Sequence, residues 1–228
     1  MIKDTNAFIR RLAQDVRPVR PLLHPWIRTA VWLALAIPSV AVVAFLIALR
    51  RGLPPIALDS RFVIEQSAAL ATGVTAAAAA FVSVVPGYRR KFLLLTGLPI
   101  AAWLGSMGQG CLQDWIQFGT DGLRLRPDWV CLPMIALMGA VPAFAMALML
   151  RRGAPLTPRV TMAFGGLAAA GLGNFGLRFV HVQDASVMVL VWQCGAVFAL
   201  SAVAAWAGPR LLNWPSVVDS TRSRAALG

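Results

Sequence analysis

Six stretches of the chain, 29–49, 66–85, 92–111, 129–150, 160–177 and 185–208, contain no Asp, Glu, Lys or Arg. Each is 18 to 24 residues long, and the polar links between them are short. A helix rises ~1.5 Å per residue, so about 20 apolar residues cross a hydrocarbon core of ~30 Å. No water is available at that depth, and a helix satisfies its own backbone groups. The pattern predicts an all-α, polytopic membrane protein with six transmembrane helices.

The polar flanks have a pattern of their own. In residues 1–28, Phe8, Ile9, Leu12, Ala13 and Val16 recur at helical spacing, while Arg10, Arg11, Gln14 and Asp15 fall on other faces. Thr5 or Asn6 is the predicted N-cap. Pro18 forbids continuation, and Pro21 and Pro25 are expected to keep the following residues extended. A three-turn helix is too short to be stable alone in water. It needs a surface: lipid headgroups, the mouth of its own bundle, or a groove on a partner. The chain therefore divides into an arm and linker (1–28), a six-helix bundle (29–208) and a polar tail (209–228).

Charge orients the bundle. The net charge is +12. Numbering the links alternately puts 15 basic residues on the side of the two termini, including Arg28, Arg89, Arg90, Arg151, Arg152 and Arg210. The other side has six, Arg50, Arg51, Arg61, Arg124, Arg126 and Arg178. By the positive-inside rule both termini are cytoplasmic. The basic excess is explained by topology and attraction to anionic lipid. No basic stripe is interleaved with aromatics, so no direct nucleic-acid binding is read. The first 28 residues hold no apolar run of the signal-peptide kind.

Candidate chemistry inside the spans is sparse. Glu65 is placed at the outer edge of the second span, within reach of headgroups. Gln66, Gln109, Asn174 and Gln193 are the larger polar groups, and Asn174 and Gln193 lie deep. Pro38, Pro99 and Pro142 are expected to kink their spans. The small-residue stripes Gly165/Ala169/Gly173 and Ala101/Gly105 suit close helix packing. A transporter or channel has the span count in its favour but lacks intramembrane charges. No metal spacing, nucleophile elbow, P-loop or dinucleotide fingerprint is present, so neither an enzyme nor a cofactor is read. Cys111 and Cys131 flank the loop between the third and fourth spans. They are either small buried apolar residues or an oxidising-side pair able to form a disulfide or hold a soft metal.

Several ordered motifs carry a resemblance. Leu12 to Pro25 reads LAxDxRPVRPLxxP. There follow Gly110-Cys111, WxC at Trp129 to Cys131, RRGAPLTP at Arg151 to Pro158, a Gly/Ala-rich fifth span, HxxD at His181 to Asp184, Trp192 and a closing GPRLLNW. Together these resemble the NrsF family of six-span membrane anti-sigma factors over nearly the whole chain. The resemblance implies a regulator in the bacterial inner membrane that holds an extracytoplasmic-function sigma factor inactive and releases it on a stress or envelope signal. It places sigma binding in the arm, at Phe8, Ile9, Arg11, Leu12, Asp15, Val16, Pro18 and Val19. It also ties outer cysteines to stress or heavy-metal sensing. Cys131 matches the family's cysteine in the fourth span, with Cys111 as a substitute partner. The second family cysteine follows a histidine in the last outer loop, where this chain has Val182 after His181.

Overall fold

The structure is a computed structural model that describes residues 2–14, 21–52, 60–85, 87, 91–123, 125, 128–153, 155–181 and 186–212. The described residues are helical and carry no strand. In chain order they form α1 (Ile2–Gln14), α2 (Pro25–Arg51), α3 (Ser60–Ser83), the short α4 (Lys91–Leu94) and α5 (Gly97–Phe118). After a 3₁₀ turn at Gly119–Leu123 come α6 (Cys131–Arg151), α7 (Pro158–Leu177), α8 (Ser186–Met188) and α9 (Gly195–Leu211). A π turn at Val189–Cys194 joins α8 to α9 without breaking the rod.

Among the described residues, five helices are long and apolar enough to cross a membrane: Pro25–Arg50, Ser60–Ser83, Cys131–Arg151, Pro158–Leu177 and Ser186–Leu211. The third apolar stretch folds differently from the expectation. A turn at Leu95 and Thr96 separates α4 from α5, so α5 begins at Gly97 and runs on to Phe118. Its second half gathers Gln109, Gln113, Asp114 and Gln117, which lowers its apolarity. Pro99 is thus the third residue of α5, where a missing N–H costs nothing, and it is not a mid-helix kink. Pro38 and Pro142 do lie inside α2 and α6.

α7 is the axis of the bundle, packed by α3, α6 and α9. Its small residues allow this. A side chain at Gly173 would meet the Ile135 carbonyl and the Gly139 amide, and one at Gly139 would meet the Ala169 carbonyl. Gly165 rests on Met146 and Leu150. The Gly165/Ala169/Gly173 stripe is therefore a helix-packing face, as its spacing predicts. The Ala101/Gly105 stripe is not: Ala101 is exposed and Gly105 faces open space.

The core contains Trp32, Phe81, Trp103, Met107, Ile135, Met138 and Met146. Trp32 Nε1 donates to the Pro142 carbonyl at 2.9 Å, which pins α2 to the middle of α6. Large apolar side chains also cover the outside, among them Val31, Leu35, Val42, Phe45, Leu137 and Phe144. A soluble domain would not display so many on long helices; lipid is the solvent that suits them. Successive long helices alternate in direction. The bundle thus has an arm end, where Arg28 of α2 meets Met149 of α6, and a far end, where Arg61 of α3 meets Ser186 of α8.

Candidate functional site

α1 is the first candidate. It begins at Ile2, so Thr5 lies inside the helix and does not cap it. Phe8 and Ile9 are 62% and 56% exposed. Arg10, Ala13 and Gln14 are exposed as well. An amphipathic helix whose apolar face is open has surface to give a partner or a bilayer. The side chains of Arg11 and Leu12 lie outside the described residues, as do Asp15, Val16, Pro18 and Val19 altogether. Residues 21–24 are exposed and irregular. Pro25 then opens α2 at its first turn, where its fixed φ suits a helix start, so the helix begins four residues before the apolar stretch.

The far end holds a buried ionic cluster. Glu65 does not reach for headgroups; it is 5% exposed inside the bundle. Its Oε1 accepts from Arg61 Nε at 3.0 Å, and its Oε2 from Arg178 Nη2 at 3.3 Å. Arg178, counted from sequence as a link charge, is also buried and lies over the Phe62 ring at 5.6 Å. Arg61 Nη2 donates to Ser186 Oγ. Ser186 in turn donates to Asp114 Oδ2 from its backbone N at 3.1 Å and from its hydroxyl at 2.6 Å. Two guanidiniums and two carboxylates thus tie α3, α5, α7 and α8 together with balanced charge. Gly110 makes room for this, because a side chain there would strike the Arg61 guanidinium. A cavity of about 410 Å³ opens beside the cluster, lined by Arg61, Ser106, Gln109, Gln113 and Asp114. Nearby, His181 Nε2 lies 3.6 Å from Asp128 Oδ2, and Trp129 meets Trp192 edge to face at 5.5 Å.

The arm end has a different arrangement. Arg28 is 5% exposed. Its Nη2 donates to the Met149 carbonyl at 2.5 Å and its guanidinium stacks 4.6 Å from the Phe81 ring centroid. Arg28 Nη1 is buried with no hydrogen-bond partner. Sequence reasoning passed over Arg28, Arg61, Asp114 and Arg178. The signal for them was faint: Arg28 and Arg178 adjoin an apolar stretch, and Arg61–Glu65 has the i,i+4 spacing of a helical ion pair.

None of the three cysteines is in a disulfide. Cys111 is half-buried and Cys131 is buried at the start of α6. Cys194 donates weakly to Met107 Sδ at 3.3 Å. Among the described residues no three His, Cys, Asp or Glu side chains gather as metal ligands. Asn174 and Gln193 are buried, as their depth in the sequence predicts, and so is Gln66. Gln109 is exposed at the far-end cavity and does not join them.

The model of the NrsF family, described as negative regulator of sigma F, matches residues 12–214. The chain belongs to the NrsF family. The match takes in the bundle and the arm from Leu12 onward, and leaves Phe8, Ile9 and Arg11 before its start. No curated protein and no solved structure matches the chain. The family's description makes this chain a negative regulator of a sigma factor, and a regulatory family fits a chain without catalytic motifs.

Proposed function

We propose that the chain is a membrane-embedded anti-sigma factor that sequesters an extracytoplasmic-function sigma factor on its N-terminal arm. The observation that carries this reading is α1, whose Phe8 and Ile9 stand open to solvent ahead of the bundle. A short helix of this kind becomes ordered when its apolar face enters a groove. Phe8, Ile9, Leu12 and Val16 would be the apolar anchors, with Arg11 and Asp15 setting register and steering encounter. Residues 29–208 serve as anchor and sensor. α5 is the sixth span, both termini are cytoplasmic, and the membrane is the bacterial inner membrane; the basic excess on the terminal side supports that orientation. An envelope or stress signal then shifts sigma affinity only as far as it distinguishes two states of the bundle. Cys111 and Cys131 remain the candidate sensing thiols.

The test is co-purification of the full chain in detergent with extracytoplasmic-function sigma factors co-expressed one at a time. Leu12→Asp should weaken capture by about 100-fold, the size of a lost hot spot, with the bundle still inserted. Deleting residues 1–20 should abolish it. Undiminished capture after that deletion would defeat the assignment, and so would a tag at Met1 that is accessible only from outside the cell.

A further inference from the structure

Among the described residues, the far-end arginines are paired with a carboxylate, but those of the arm end are not. A cavity of about 490 Å³ lies between α2, the end of α6 and the linker. Its walls are Pro21, Leu22, Leu23, Val31 and Met149, with the guanidiniums of Arg28 and Arg152 set among them. Arg28 is the unusual member: it is almost wholly buried, yet its Nη1 has no hydrogen-bond partner. A buried guanidinium donor left unmade is costly, and a second arginine lining the same cavity adds like-charge repulsion. Among the described residues the arginines of this cavity have no carboxylate partner. The site therefore has two positive charges without a carboxylate, set among apolar walls.

We propose that this cavity binds the phosphate of an anionic phospholipid from the leaflet at the arm end. The phosphate would sit against the Arg28 guanidinium, and Arg152 would meet the same group from the rim. The walls favour a lipid over a free anion. From the cavity, Val31, Leu35 and Val42 continue down the outside of α2 as exposed apolar residues at helical spacing. That track suits an acyl chain lying along the helix. Trp26 and Ile27 are exposed at the same level, where an aromatic ring is at home among headgroups. Basic pockets between membrane helices hold anionic headgroups by this combination of charge and depth. Because Pro21, Leu22 and Leu23 form one wall, an occupied site also fixes where the arm leaves the bundle. The inference rests on the bundle lying in a membrane and not on what the arm binds.

The experiment uses the full chain in neutral detergent without a sigma factor, so its failure is separable from that of the anti-sigma reading. Phosphatidylglycerol, phosphatidylcholine and inorganic phosphate are titrated in, and bound adducts are counted by native mass spectrometry. Phosphatidylglycerol should be retained about tenfold better than phosphatidylcholine, whose phosphate is neutralised by a choline cation that two arginines repel. Arg28→Gln and Arg152→Gln should each remove that preference. Arg152 is exposed at the end of α6, so its variant folds even where the Arg28 variant does not. Arg50→Gln, exposed at the opposite end of α2, should leave the preference intact. Equal retention of the two lipids would overturn the proposal, as would an unchanged preference in Arg152→Gln or an equal loss in Arg50→Gln. Saturation by inorganic phosphate at the concentration where phosphatidylglycerol saturates would overturn the lipid assignment.

Discussion

The two ends of the bundle each bury arginine, and they treat it in opposite ways. At the far end Arg61 and Arg178 share Glu65, and Ser186 links Arg61 to Asp114. At the arm end Arg28 has a backbone carbonyl, an aromatic face and one donor unspent. A closed network contributes rigidity, because losing any member strands a charge in low dielectric. A guanidinium with no carboxylate beside it keeps its charge for something outside the chain. The rigid end thus belongs to the side the charge bias assigns to the exterior, and the receptive end to the side that carries the arm.

The largest expected effect breaks the closed end. Glu65→Gln removes the carboxylate that both arginines contact directly, leaving Asp114 reached only through Ser186, and should cost about 3–5 kcal/mol of stability. The measure is thermal unfolding of the purified chain in lipid-free detergent. The double variant Glu65→Leu, Arg178→Met should recover most of that loss, because no buried charge is then unpaired. If the double variant is as unstable as the single, the cluster is not the ion-pair device described. A smaller loss, about 1 kcal/mol, is expected from Trp32→Phe, which deletes the hydrogen bond to the Pro142 carbonyl near mid-bundle. Arg28→Met should cost no more than about 1 kcal/mol in the same detergent, since its removal strands no carboxylate. A loss matching that of Glu65→Gln would erase the contrast between the ends. The smallest effect is chemical: maleimide should modify half-buried Cys111 in the folded chain, with Cys131 and Cys194 reacting only after unfolding. Equal rates at all three would contradict the buried placement of Cys131 at the far end.

Much of this was legible in the residue order. The apolar stretches 129–150 and 160–177 became α6 and α7 within two residues of their predicted limits. The 160–177 stretch also declared its packing face, because small residues repeated four apart mark one side of a helix. The 92–111 stretch misled. Thr96, Gly97 and Pro99 favour a break and restart, and the charge-free criterion does not see such a break. Glu65 and Arg178 misled in another way. Each looks solvent-facing when read beside its sequence neighbours, yet they are 113 residues apart and meet inside the bundle. Cys111 and Cys131 flank one loop, a proximity in sequence that gave no hint of how unequally they are buried.

The residue order alone determined the rods, their apolar character and the charge bias between the two sides. Those properties follow from local composition and from the length of helix that spans a bilayer. Which charges are buried, and which of those find partners, was decided only when distant helices came together around α7. Burial and pairing are properties of the space between elements, and a single stretch of chain contains only half of each contact.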